Sequence, residues 1–175
     1  MARGRGPRPD RRDLRRRGPN RPTNSIFLLV CEGRKTEPAY FQDFARDQGQ
    51  PGVTIRPQGL GRDPVRLARA AIRLKEENAR AVNRSGEPLY DEIWCVFDDD
   101  GRKKSQLGEA RSLASAQGIK TAVSNPCFEI WLLLHFQDCT GSMTAKRIER
   151  TLRKYISGTT NWRPMTSCAA TTRRR

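Results

Sequence analysis

The chain has 175 residues, of which 34 are Lys or Arg and 19 are Asp or Glu, so its formal net charge is +15. This length suits one domain. Hydrophobic residues make up 35% of the chain, fewer than the ~45–50% of a typical globular protein. Residues 1–23 contain nine Arg, two Asp and a single Leu, so we expect a disordered basic tail before a folded body. Such a tail suits two roles equally, an electrostatic arm for nucleic acid or a solubilising segment.

The inventory of residues excludes several classes of protein. No segment approaches the ~18 apolar residues of a membrane span, and no signal-peptide core follows the Arg-rich start, so we expect a soluble, cytoplasmic protein. The five Cys form no CxxC pair, which disfavours a zinc site or a disulfide framework. His135 is the only histidine, which nearly excludes Ser-His-Asp catalysis. We expect His135, Trp94 and Trp131 to be buried.

Strand patterns alternate with helix patterns along the body. Residues 25–31 form a continuous apolar run typical of a buried strand, and residues 36–47 space aromatic side chains on one helical face. A weaker strand pattern covers 53–56, and Asp63 with Pro64 indicates a helix start. Further along, the pattern predicts strands over 92–97 and 119–123 and helices over 105–117, 128–136 and 144–156. The helix over 128–136 begins after Asn125 and Pro126.

Four strands alternating with helices predict an α/β fold. The sheet should be doubly wound and mostly parallel, with helices on both faces. In open parallel sheets, ligands bind outside the carboxyl ends of the strands, where the strand order reverses. The chemistry should therefore lie just after the strands.

Acidic residues follow the first and third predicted strands. Glu32 comes directly after the first strand, and Asp98, Asp99 and Asp100 follow the third. If these strands are neighbours, the carboxylates repel one another and a hard cation such as Mg²⁺ would stabilise them. In an extended segment Asp98 and Asp100 point the same way, so they are the predicted metal pair, with Glu32 as a further ligand. The alternative is an ordinary acidic turn.

Basic residues flank these carboxylates in sequence. They either bind the phosphate backbone of a nucleic acid or form a solvated rim. The segment CEGRKTE lacks the GxxxxGK[ST] spacing of a phosphate-binding loop, which disfavours ATP binding by this chain. The candidate phosphate ligands are Arg34, Lys35, Arg102 and Lys103.

Three segments, CEGRKTEPAYF, VFDDD and SNPCFEIWLLLHF, together resemble the RloB-like family, which occurs beside restriction and abortive-infection genes. The resemblance covers residues 25–156 or so. Members of that family resemble Toprim domains, metal-binding α/β folds in which a Glu follows the first strand and a DxD the third. The resemblance therefore implies a Toprim-like domain over residues 24–157 with Mg²⁺ or Mn²⁺ as cofactor. It places the Glu at Glu32 and the DxD at Asp98 and Asp100. Supporting roles fall to Glu37, Asp99, Asn125 and Glu129.

The chain departs from the family pattern in two places. Asp99 stands where members usually have a basic residue, which would weaken the binding of phosphate. Residues 158–175 lack helical periodicity where members continue with a helical segment, so we expect an irregular, truncated or frame-shifted end.

The resemblance implies a Mg²⁺-dependent nuclease that hydrolyses DNA or RNA in anti-phage, abortive-infection defence, with an ATPase of the AAA or ABC type encoded nearby as partner. The alternative is a non-catalytic nucleic-acid-binding or regulatory subunit of a defence complex. A third function, phosphotransfer or phosphatase chemistry, is less favoured because those folds place the key Asp after the first strand, where this chain has Glu32.

Overall fold

The computed structural model describes residues 25–48, 53–61, 63–101 and 104–156, so the predicted tail 1–23 and the segment 158–175 lie outside it. The strands are β1 (Ser25–Cys31), β2 (Val53–Gly59), β3 (Glu92–Asp98) and β4 (Lys120–Ser124). The helices are α1 (Thr36–Gln48), α2 (Pro64–Ser85), α3 (Lys104–Ala116), α4 (Glu129–Leu134) and α5 (Ala145–Leu152).

The four strands form one parallel sheet in the order β2-β1-β3-β4, which confirms the doubly wound α/β fold. β1 lies inside the sheet and pairs with β2 on one side and with β3 on the other. The chain first steps outward from β1 to β2 and then returns past β1 to β3. The strand order therefore reverses between β1 and β3, the position where α/β sheets bind ligands.

Each face of the sheet carries its own hydrophobic core. Because side chains alternate along a strand, Val30 and Cys95 pack with α2 and α3 on one face. Their neighbours Cys31 and Val96 pack on the other face with α4, α5 and aromatic residues of α1. Asp98, two residues after Val96, belongs by the same alternation to the face that carries α1 and α4.

The segment around α4 corrects three expectations. The helix spans Glu129–Leu134 and is shorter than the predicted 128–136, and Asn125 and Pro126 are joined by a cis peptide bond in the preceding loop. Trp131 in this helix remains 46% exposed, and His135, directly after it, is also exposed. The expectation of burial was wrong for these two residues because the sheet and α5 cover only one side of this short helix. Trp94 is partly buried.

For the described residues, the structure gives the state of the cysteines and the hydropathy of the helices. Cys31, Cys95, Cys127 and Cys139 are free thiols, the first two buried. No helix in residues 25–156, apart from the gaps given above, combines the length and the hydropathy of a membrane span.

Helix α2 begins as the sequence predicts, and this start is testable. Asp63 is its N-cap, and the Asp63 Oδ1 accepts a hydrogen bond from the Arg66 amide at 3.0 Å. We expect Asp63→Ala to lower the free energy of unfolding by about 1 kcal/mol, because an amide of the first turn loses its partner. Asp63→Asn keeps the cap and should remain close to wild type in urea unfolding. Equal loss in both variants would contradict the capping role.

Candidate acidic site at the carboxyl edge of the sheet

The ends of β1 and β3 are joined by hydrogen bonds beyond the last ladder pair. The Glu32 amide donates to the Val96 carbonyl oxygen at 3.0 Å, so the backbone pairing of the two strands continues one residue past the end of β1. The Asp98 amide donates to Glu32 Oε2 at 3.3 Å. The structure thus brings Glu32 and Asp98 together at the point where the strand order reverses.

Glu37 adds a third carboxylate to this edge. It lies in the first turn of α1 and is only 5% exposed. The Gly33 amide donates to Glu37 Oε1 at 2.8 Å. Burial raises the pKa of Glu37, backbone hydrogen bonds from Glu37 and Gly33 lower it, and the charges of Glu129 and Glu32 raise it further. A Cβ at Gly33 would overlap the Glu37 carboxylate, so a larger residue at this position would displace that carboxylate.

Asp98 has the most strongly perturbed carboxylate of the edge. Burial raises its pKa to about 7, and the charges of Glu37, Glu129 and Glu32 contribute in that order. A hydrogen bond from the Phe128 backbone opposes the shift. We call Glu32, Glu37, Asp98 and Glu129 the acidic cluster. Its members come from the ends of β1 and β3 and the first turns of α1 and α4.

Cys127 lies beside the acidic cluster but does not supply a thiolate. Burial raises the pKa of Cys127 to about 12, and a hydrogen bond to the Glu129 side chain raises it as well. The thiol is therefore protonated at neutral pH. Nucleophilic or metal-ligating thiolate chemistry at this position is disfavoured.

The aspartates that follow Asp98 have different positions. The Asp99 amide donates to the Ser124 carbonyl oxygen at 2.7 Å, and its Oδ1 accepts from the Gly101 amide at 3.2 Å. Asp99 therefore shapes the turn after β3. Asp100 is exposed beyond the strand end, and its pairing with Asp98 at a metal stays a prediction.

The remaining predicted site residues surround this edge only in part. Asn125 is exposed in the loop after β4. Arg34 and Lys35 are exposed in the loop between β1 and α1, and the Arg34 side chain lies against Gly61. Arg102 and Lys103 lie outside the described residues.

The fit of a metal ion to this edge rests on the donor chemistry. Carboxylate oxygens are the ligands that Mg²⁺ prefers. A cation would favour the ionised form of Asp98, whose pKa is raised by burial and by neighbouring carboxylates. In the described part of the chain, however, no three His, Cys, Asp or Glu side chains are grouped so that they could hold a metal ion. The donor types fit the ion, and ligation requires the side chains to rearrange.

The sequence of the whole body matches one known family. The description of that family is RloB-like protein, and the match covers residues 27–172. The chain belongs to the RloB-like family. No curated protein and no solved structure matches it. The family assignment confirms the resemblance seen in the sequence, and the Toprim likeness stays a prediction.

Two members of the acidic cluster were assigned only supporting roles from the sequence. The charges of Glu37 and Glu129 both raise the pKa of Asp98 in the RloB-like chain. A signal for Glu129 was present, because it follows β4 closely and parallel strands end at the same edge of a sheet. Glu37 had no comparable signal, since a first-turn acidic residue is common in helices.

The pH dependence of stability tests the surroundings of Asp98. Its folded pKa of about 7 lies above the usual 3.8, so its stabilising contribution is present below about pH 4 and is lost as the pH rises through 7. Asp98→Asn should therefore be more stable than wild type at pH 8 in metal-free buffer. We expect an effect on the order of 2 kcal/mol, because one pKa unit equals ~1.4 kcal/mol and partial solvent access reduces the full shift.

Thermal unfolding between pH 5 and pH 8 would measure this difference. Asp47→Asn is the matched control, since Asp47 is exposed and lies about 15 Å along α1 from Glu37. Parallel pH profiles for wild type and Asp98→Asn would show that Asp98 is not perturbed.

Gly59, the last residue of β2, supports the loop that carries Glu32 and Gly33. A Cβ there would touch the Gly33 carbonyl oxygen and lie 2.7 and 2.8 Å from the Arg34 Cα and carbonyl carbon. These are backbone atoms, so Gly59→Ala should lower the free energy of unfolding by roughly 1–3 kcal/mol. Gly108→Ala is the control, because a Cβ there would meet no atom within 4 Å outside its own helix, and Ala is favoured over Gly inside a helix. Urea unfolding of both variants decides, and a harmless Gly59→Ala would contradict the close approach.

Proposed function

We propose that this RloB-like chain is a divalent-metal-dependent nuclease that hydrolyses phosphodiester bonds of DNA or RNA. The observation that supports this most is the acidic cluster at the reversal point of the sheet. Four carboxylates from four separate segments are collected there, in a chain whose formal charge is +15. An acidic turn formed by neighbouring residues alone would not gather side chains from β1, α1, β3 and α4.

Five residues at this edge have assigned roles in the proposed reaction. Asp98 and Asp100 would hold Mg²⁺ or Mn²⁺ together with Glu32, as the Toprim likeness implies. Such an ion would stabilise charge on the scissile phosphate and would lower the pKa of an attacking water. Alternatively, Glu32, which is half-buried and accepts a hydrogen bond from the Asp98 amide, would serve as the general base that takes the proton of that water. Exposed Arg34 and Lys35 would hold the phosphate backbone.

Hydrolysis is favoured over transfer of the strand to a tyrosine. Tyr40 is the tyrosine nearest in sequence to the acidic cluster, and its hydroxyl shares a hydrogen bond of 3.1 Å with His135 Nε2. Burial raises the pKa of Tyr40, which makes the phenol a poorer nucleophile. Water is the better candidate.

The biological setting that we propose follows from the family. RloB-like genes lie beside restriction and abortive-infection genes, which supports a role in anti-phage defence. The same setting supports an ATPase of the AAA or ABC type as partner, which would hold the nuclease inactive until infection.

One observation favours a second candidate, a non-catalytic nucleic-acid-binding or regulatory subunit. The carboxylates of the described residues are not arranged as metal ligands in groups of three. If the cluster never closes on an ion, binding of nucleic acid would depend on basic residues and would fall steeply with salt.

Metal binding separates the two candidates before any substrate is known. Calorimetric titration with Mn²⁺ should show a site in wild type and in Asp47→Asn that is lost or at least about tenfold weaker in Asp98→Asn, since one ligand is removed. Absence of binding to the folded wild type would favour the second candidate.

Cleavage tests the activity itself. Labelled single- and double-stranded DNA and RNA should be cut in Mg²⁺ or Mn²⁺ by wild type and Asp47→Asn, alone or with the co-expressed ATPase. Asp98→Asn and Glu32→Gln should lower the rate by at least about a hundredfold, because ligation and water activation fail. Undiminished cleavage in both variants would refute the assignment of these residues.

A further inference from the structure

Trp131 is a large aromatic residue that α4 leaves in contact with solvent. It is 46% exposed, although it lies inside the apolar segment FEIWLLLHF. On the same helix, Leu132 and Leu133 are buried against the sheet. The exposure of Trp131 is therefore a feature of how α4 is seated.

The exposed indole is held in a fixed position. Its Nε1 donates a hydrogen bond to Ser124 Oγ at 3.0 Å, and the Trp131 backbone amide donates to the Phe128 carbonyl oxygen at 2.9 Å. Ser124 is itself only 2% exposed. The single polar group of the side chain is thus satisfied inside the protein, while part of the aromatic ring is left accessible.

The anchors of Trp131 are also the immediate neighbours of the acidic cluster. Ser124 pairs with Asp98 in the ladder between β3 and β4. The backbone of Phe128 is hydrogen-bonded to Asp98, and Glu129 precedes Trp131 by two residues. Trp131 consequently lies at the same edge of the sheet as the carboxylates.

Positive charge lies on the helix that packs against α4. Helix α5 shares a hydrophobic core with α4, and residues 140–156 carry five basic residues and one acidic residue. The basic residues are all exposed: Lys146, Arg147, Arg150, Arg153 and Lys154. The phosphate backbone of a nucleic acid complements this positive charge, whereas an apolar protein surface does not.

We propose that Trp131 stacks on an unpaired base, so that the preferred nucleic acid of this site is a single strand. Aromatic faces beside basic surfaces bind single strands by base stacking. In a duplex the faces of the bases are covered by their neighbours and cannot meet the indole. This inference deepens the proposed nuclease function by naming the substrate class, but the binding that it predicts requires no cleavage.

Fluorescence anisotropy of labelled oligonucleotides tests this binding. The parent protein is the full-length chain with Asp98→Asn, and the buffer contains EDTA, so that no probe is cleaved. The probes are labelled oligo-dT and oligo-U of roughly 20 nucleotides, longer than a typical single-strand site, and a mixed-sequence duplex of equal length. We expect Trp131→Ala to weaken single-strand binding at least about fivefold, while duplex binding stays unchanged, because stacking contributes only to the single strand. Trp131→Phe should bind better than Trp131→Ala, since a ring remains.

Leu134→Ala is the matched control. Leu134 lies on the same helix with almost the same exposure, 47% against 46%, but cannot stack. Circular dichroism establishes that each variant is folded. Unchanged single-strand binding by folded Trp131→Ala, equal losses for single strand and duplex, or an equal loss in Leu134→Ala would each overturn the inference, as would no single-strand binding by the parent protein.

The outcome is separable from that of the nuclease proposal. Trp131-dependent binding by a chain that never cleaves would support the single-strand site and refute the activity. Metal-dependent cleavage of single strands that is unaffected by Trp131→Ala would support the nuclease activity and refute the stacking role of Trp131.

Discussion

The parallel pairing of β1 with β3 is the contact on which the candidate site depends. Their ladder continues past the end of β1, where the Glu32 amide bonds to the Val96 carbonyl oxygen and the Asp98 amide to the Glu32 carboxylate. Residues 66 positions apart in the sequence are thereby joined by a hydrogen bond. β1 and β3 lie where the strand order reverses, which is the position where ligands bind in open α/β sheets.

Like charges at this edge have a cost that the rest of the fold must offset. Burial and three neighbouring carboxylates raise the pKa of Asp98 to about 7, so part of the repulsion is relieved by a proton at neutral pH. A divalent cation would relieve more of it. Backbone amides of Gly33 and Phe128 already donate to the carboxylates of Glu37 and Asp98. The edge is therefore built to keep carboxylates together, which an ordinary acidic turn does not need.

The seating of α4 connects the acidic cluster to the proposed binding surface. Phe128, Leu132 and Leu133 anchor this short helix in the core that α1 and α5 share. That anchoring places Glu129 against Asp98 and leaves Trp131 at the surface with its indole bonded to Ser124. One packing arrangement thus positions both a carboxylate and an aromatic face at the edge of the sheet.

The sequence by itself determined the order of strands and helices, the parallel fold and the family, because apolar runs, the Asp63 cap and the CEGRKTEP and SNPCFEIW segments are local signals. It also placed Glu32 and Asp98 at one edge, since the ends of parallel strands coincide. Only the tertiary structure decided that Glu37 and Glu129 face Asp98 and that Trp131 and His135 are exposed. These depend on how α1 and α4 rest on the sheet, and a run of apolar letters does not show which side of a short helix is covered.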